Sequence, residues 1–308
     1  MTITPSPLVP DSPRHAWVFG GSGQIGERVL QRLLARGCEV TAWSRQPRAA
    51  QPGLQWRQGG LDEAGAVPEG VDAVFSCGPL DHFARWFQAQ AGAPARVVAF
   101  GSTSVEVKAD SADAGERDVA RRLAEAETQL FASAAARGTA ATVLRPTLVY
   151  GAGRDATLSV IAAMARRHGF FVLPRAAAGL RQPVHVEDLA DAALLAWAAP
   201  ATFQRAYAVG GGEVLGYGEM VARVLQALSP PARLHRVPTP LFAAALWLAH
   251  AAGRLRGLNA QALQRMRADL VFDLGPAQRD FGYAPRRFAP DARALGLAAD
   301  AAPGMAPA

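Results

Sequence analysis

The run "HAWVFGGSGQIGERVLQRLLARGCEVTAW", His15 to Trp43, constrains this chain more than any other segment. "AWVFG" is a short apolar run suited to a buried parallel strand. "ERVLQRLLARG" places apolar residues at helical spacing and ends in a glycine stop, and "EVTAW" reads as a second strand. Gly20, Gly21, Gly23 and Gly26 lie between the first strand and the helix. Glycines there let the backbone turn tightly and approach a pyrophosphate, whose charge then sits at the helix N-terminus. Glycines alone also mark ordinary turns. Their position between strand and helix makes this a dinucleotide-binding expectation, with Gly20, Gly21, Ser22, Gly23, Gln24, Ile25 and Gly26 as the turn.

The end of the second strand bears on which dinucleotide. NAD sites place a carboxylate there for the ribose 2′-hydroxyl. Here Trp43, Ser44, Arg45 and Arg48 supply a hydroxyl and two guanidiniums. Guanidinium suits a phosphate, so NADP is expected ahead of NAD, unless both arginines are ordinary surface groups. Further apolar strands recur near 72–78, 95–104 and 139–151, with helical stretches such as "DVARRLAEAETQLFASAAARG" between them. That alternation predicts an α/β fold, a doubly wound parallel sheet of Rossmann type. Ligands gather at the carboxyl ends of such strands, which places Gly78 and Pro79, Ser102 to Ser104, and Pro146 to Tyr150 around one cleft.

Composition narrows the remaining classes. Of 308 residues half are apolar, and the formal charge is +6, carried almost wholly by arginines scattered at helical spacing. No basic block alternates with aromatics, so a nucleic-acid partner is not expected. Cys38 and Cys77 show no metal-ligand spacing, so no metal is expected and a reducing cytoplasm fits. The polar, Pro-rich opening, 1–14, and the end, 293–308, read as loose tails. The apolar stretch 241–252 is too short to span a bilayer and reads first as a buried helix, with peripheral membrane contact as the other reading.

Taken together, "GGSGQIG", "AFGSTSV", "LRPTLVYGAGRD", "QPVHVEDLADA" and "YAVGGGEVLGYGEM" resemble an extended short-chain dehydrogenase/reductase of the NAD(P)-dependent epimerase/dehydratase type, in the family's order across roughly 15–290. The resemblance implies a Rossmann core over 15–150, with 183–210 returning to it. It also implies a smaller substrate lobe from 151–182 and 211–292. It adds Leu61, Cys77, Gly78, Pro79, Pro146 and Thr147 to the cofactor site, with Ser102 orienting the substrate oxygen and Thr103 its nearest competitor. Homodimerisation through 118–137 and 155–168 is usual in the family.

The family's proton relay is a Tyr-x-x-x-Lys pair on the helix after the "STS" strand, whose lysine lowers the phenol pKa. This chain has one lysine, Lys108, and no tyrosine before Tyr150. If Glu127 takes the place of the family's helix glutamate, the pair falls on Val119 and Leu123. If Glu125 does, it falls on Arg117 and Arg121. Neither register supplies a phenol or an amine. Arg121 or Arg122 could hold a ribose but is a poor base. Asp118, Glu116 and the Asp81-His82 pair are nearby titratable groups that also suit a solvated surface.

In the lobe, Arg154, Arg166, Arg167, Arg175 and Arg181 would suit a diphosphate. His185 either lines the pocket or is a satisfied core histidine. The functional expectation is an NADP-binding oxidoreductase or epimerase-like protein for a small-molecule substrate, such as a nucleotide sugar or another small carbonyl or hydroxyl compound. The alternative is a catalytically silent NADP(H)-binding protein with a sensing, scaffold or membrane-associated role.

Overall fold

A computed structural model describes residues 13–251 and 260–297. In chain order the elements are β1 His15–Phe19, α1 Gly26–Ala35, β2 Glu39–Ser44, β3 Leu54–Gln58, β4 Ala73–Ser76, α2 Leu80–Gln88, β5 Arg96–Phe100, α3 Ser104–Val107, α4 Ala114–Ala136 and β6 Ala140–Pro146. There follow β7 Val149–Tyr150, α5 Leu158–His168, β8 Phe170–Pro174, β9 Leu180–Arg181, β10 Val184–His185, α6 Val186–Ala198 and β11 Arg205–Val209. The chain closes with β12 Leu215–Gly216, α7 Tyr217–Gln226, β13 Arg233–Val237, α8 Thr239–Ala251, α9 Ala260–Arg267 and α10 Gly275–Phe281.

Contacts divide these into two compact units. The first comprises 13–147, 186–209 and 272–284; the second comprises the remaining described residues. The first unit is a seven-stranded parallel sheet, ordered β11-β6-β5-β4-β1-β2-β3. Helices α1 and α6 pack together on one face and α2 and α4 on the other. Chain order reverses between β1 and β4, the switch point at which open α/β sheets form their ligand crevice.

Apolar strands buried on both faces explain the parallel sheet. Every residue of β4 and β5 is buried. An aromatic layer covers one side: the Trp43 ring lies 4.5 Å from Trp17 and 4.7 Å from Phe19, and Phe19 meets Trp86 of α2 at 4.6 Å. Helix α4 starts at Ala114 because the Asp113 carboxylate accepts the Glu116 N–H at 2.8 Å.

The second unit has its own core, centred on Tyr150, Leu158, Leu173 and Met220. Three two-stranded ribbons frame it: β10-β7, β12-β9 and β13-β8.

Four expectations change. The strand expected over 139–151 is broken, because Thr147 N–H turns to Val209 O at 3.3 Å and Val149–Tyr150 pairs separately with Val184–His185. Residues 272–284, expected in the lobe, join the first unit, where Tyr207 donates to Asp280 at 2.6 Å and packs edge-on against Phe281. The C-terminal tail starts later than 293, since Leu295 is buried and Gly153 N–H bonds Ala294 O at 2.9 Å. Arg181 is buried, donating to Ala268 O at 2.7 Å beneath the Tyr217 ring, which removes it from the arginines offered to a diphosphate. Residues 1–12 and 298–308 of the expected tails lie outside the described residues.

Candidate functional site

The glycine turn closes where β1 meets α1. Gly20 takes φ +72°, and a Cβ on it would lie 2.9 Å from the Cys77 carbonyl carbon. A Cβ on Gly26 would come 2.1 Å from Gly20 O, so only glycine lets the helix start this close to the strand end. Gly23 N–H bonds Gly20 O at 2.9 Å, and Ile25, at the helix cap, offers no side-chain acceptor. The N-terminus of α1 therefore carries its partial positive charge without a capping side chain. This cradle fits a pyrophosphate.

The first unit also holds the other positions expected to bind a cofactor. Ser44 ends β2, buried, with its Oγ accepting the Gln46 N–H at 3.3 Å. Arg45 is exposed beside it. Arg48 lies over the Trp56 ring at 5.2 Å, with Nη1 3.9 Å from Glu27 Oε1, at a groove of about 370 Å³ between α1 and β3. Leu61 packs against the main core. Cys77, Gly78 and Pro79 link β4 to α2; burial pushes the Cys77 thiol up to about 12, so it stays an inert thiol at neutral pH.

Ser102 and Thr103 follow β5, and their hydroxyls are used differently. Thr103 is buried and its hydroxyl donates to Pro146 O at 3.1 Å, which latches the loop to β6. Ser102 Oγ accepts the Ser104 N–H at 3.1 Å, which leaves its own proton uncommitted. Pro146 and Thr147 complete the rim at the end of β6.

An ion-pair network beneath this rim was missed in the sequence. Arg145 on β6 pairs with both oxygens of Glu127 on α4, and its Nη1 donates to Glu106 of α3 at 2.8 Å. These carboxylates raise the Arg145 pKa, and Glu127 is 5 % exposed. A Cβ on Gly101 would lie 3.4 Å from Glu127 Oε1, so the pair sits directly under the Gly101-Ser102 turn. Glu125, by contrast, faces solvent at 61 % exposure. Val119 and Leu123, eight and four residues before Glu127, are half-buried and share its helix face.

Arg121 lies on the opposite, solvent side, paired with Asp118 and with Glu125 at 2.8 Å, and is 59 % exposed. It lines a shallow groove of about 470 Å³ between α3 and α4, with Val105, Ala109 and Asp118. Arg122 ties Asp118 at 3.0 Å to Asp81, at the start of α2, at 3.2 Å. In the second unit, His185 is half-buried and meets the Tyr150 ring edge-on at 5.0 Å. Among the described residues, no cluster of three or more His, Cys, Asp or Glu is placed to hold a metal ion, and no helix is long and apolar enough to cross a membrane.

Residues 20–169, which include the glycine turn, β5 and Ser102, match the family described as NAD(P)H-binding. Over that stretch the chain is similar to NAD(P)H-binding domains. A 2-alkyl-3-oxoalkanoate reductase of Stenotrophomonas maltophilia is 28 % identical over 316 residues, covering 87 % of this chain and 94 % of that protein. The Bordetella bronchiseptica enzyme WbmF, solved with NADH, superposes with a TM-score of 0.67 at 13 % identity, covering 93 % and 92 % of the two chains. MoeE5, solved with UDP-glucose and NAD, gives 0.65 at 18 % identity over 92 % of this chain and 96 % of its own. The fold is thus shared with proteins solved with NADH and with UDP-glucose and NAD.

Proposed function

We propose that this chain is an NADP(H)-dependent oxidoreductase acting on a small carbonyl or hydroxyl compound without a tyrosine-lysine relay. The observation that carries this is Ser102. Its hydroxyl stands at the carboxyl end of β5, held by the Ser104 N–H with its own proton available, one strand beyond the β1-β4 switch point. A nicotinamide cofactor held by Gly20 to Gly26, with Arg45 and Arg48 toward a 2′-phosphate, would supply or accept the hydride. Ser102 then orients the substrate oxygen and donates a hydrogen bond to it, polarising the carbonyl carbon, while water supplies the oxygen's proton. Thr103 and the Arg145-Glu127 pair hold the Ser102 turn in place. The ketone-acid reductase relative supports a carbonyl substrate; the UDP-glucose complex of MoeE5 supports a nucleotide sugar as the other class.

Val119 and Leu123, on the face where the relay would stand, favour a second reading, a protein that binds NADP(H) and turns nothing over. Melting curves with NADP(H) and NAD(H), with a carbonyl-substrate screen, separate the two. Nucleotide at a hundred times its dissociation constant adds about 2.7 kcal/mol, a shift of roughly several degrees. A shift with NADP(H) that Arg45→Glu reduces, together with turnover, is the expected result. A shift without turnover establishes the second reading, and no shift with either nucleotide overturns both.

A further inference from the structure

Charge is distributed very unevenly along this chain. Segments 156–186 and 220–268 hold 11 arginines and no Asp or Glu, leaving 21 cations against 26 carboxylates elsewhere, a balance of −5. Both segments belong to the second unit but for Val186. They build the parallel β8-β13 ribbon, the end of α5 that leads into it, and α8.

One face of that ribbon is covered: Leu173 is buried, and Phe171 and Leu234 pack on the second core. The other face is open at its Phe170 end, while Pro174 at the far end is buried. Phe170 is 45 % exposed, with the His235 ring 5.7 Å away edge-on. Arg233, exposed, is tied by its N–H to Gly169 O at 3.0 Å, at one end of the ribbon beside Arg167. Arg175, also exposed, bonds Val237 O at 2.8 Å at the other end, where α8 begins. These points span about 15 Å of strand. The described start of α8 adds Leu241 at 64 % exposure, and between Thr239 and Ala251 this helix carries no charged residue. A helix apolar on all sides is ordinarily covered. Here its first turn is open, next in sequence to the strand whose Val237 carbonyl the Arg175 N–H meets.

We infer that this face of the second unit docks on an anionic lipid surface, with Leu241 and Phe170 entering the headgroup boundary and Arg175 and Arg233 meeting lipid phosphates. Charge complementarity selects the occupant, since each exposed arginine of the face attracts an anionic leaflet at about fivefold in affinity. The apolar component favours lipid over a purely ionic partner.

The test is co-sedimentation of the full chain with vesicles of phosphatidylglycerol and phosphatidylcholine, against phosphatidylcholine alone, at low and high salt. Binding to the anionic vesicles only, weakened by salt, is expected. Leu241→Glu should bring it to background, and the Arg175→Gln/Arg233→Gln pair should weaken it about 30-fold, with melting temperatures unchanged. Failure of the wild-type chain to sediment, equal binding to neutral vesicles, or Leu241→Glu binding at wild-type strength would overturn the proposal. So would tight binding to polyglutamate that Leu241→Glu leaves intact, which would assign the face to an acidic protein instead. None of these outcomes depends on turnover or on nucleotide.

Discussion

Replacing Arg96 by methionine should destabilise the protein by about 3 kcal/mol and leave nucleotide binding untouched. Arg96 begins β5, is 4 % exposed and has no carboxylate among its hydrogen-bond partners. Its guanidinium donates to the last carbonyls of α6, Ala196 O at 2.5 Å and Trp197 O at 3.1 Å, and to Ala140 O at 3.0 Å, with Thr202 Oγ1 at 2.9 Å. The Phe203 ring covers it at 4.3 Å. It acts as a C-cap for α6 from a neighbouring strand, at the end of the helix where cations are favoured. Hydrogen bonds from a charged donor are worth about 1.5–3 kcal/mol each, so the three carbonyl bonds outweigh the desolvation of the cation. That desolvation pushes the guanidinium down to about 10 from 12.5, a cost of about 3 kcal/mol. The difference is a net gain of a few kcal/mol that methionine forfeits while keeping the apolar stem. Equilibrium urea unfolding followed by tryptophan fluorescence measures it. Arg96→Lys, with three donors in place of five, should fall between the two. An Arg96→Met protein within about 0.5 kcal/mol of wild type would refute the reasoning, because the buried cation would then contribute nothing beyond its own desolvation.

Ser102→Ala removes one hydrogen-bond donor to the substrate oxygen and should lower kcat/KM on a reducible carbonyl compound by about 100-fold, while the melting temperature and NADPH affinity stay within error, as steady-state kinetics and thermal shift would show. Glu213 accepts from Arg223 at 2.9 Å on both oxygens and from Phe288 N–H at 3.2 Å, and Arg223, burial notwithstanding, holds its carboxyl at about 2, below the usual 4.5. A depressed carboxyl stabilises the fold above its unfolded pKa and loses that contribution as pH falls through the folded one. Glu213→Gln should therefore cost about 1 kcal/mol at pH 6, with the gap from wild type closing between roughly pH 4.5 and 2 in thermal melts.

The turn from Gly20 to Gly26 was legible because its requirement is local: the close approach of Gly26 to Gly20 O is written as glycine at fixed spacing. The place of Ser102 just after β5 was legible because it follows an apolar strand in a wound sheet. Thr103 was not separable from it, since the bond to Pro146 O spans 43 positions. The Arg145-Glu127-Glu106 network was invisible for the same reason; charges 18 and 39 residues apart carry no periodic signal. The missed edge strand β3, "LQWRQ", is mostly polar because only Leu54 is buried. Leu295 was hidden in a stretch whose composition reads as a tail, although a single buried leucine anchors it.

The register of α4 turns on the same burial argument and leads to the last prediction. Glu127 and Glu125 were equivalent in sequence. Burial of Glu127 against Arg145, with Glu125 in solvent, selects Glu127 as the helix residue facing the Ser102 turn. Positions four and eight residues earlier on that face are Leu123 and Val119, both half-buried, so side chains there point toward the sheet and not outward as Arg121 does. On this assignment a phenol at 119 and an amine at 123 take the relay's two positions. The Val119→Tyr/Leu123→Lys variant should then raise kcat on a carbonyl substrate by at least about tenfold, since a positioned general acid contributes about 10²–10⁴. It should also introduce a fall in rate at alkaline pH as the new phenol ionises, a feature that better folding alone would not create. If this variant binds NADPH like wild type and gains neither rate nor pH dependence, the helix face is assigned wrongly and the relay's absence has some other structural basis.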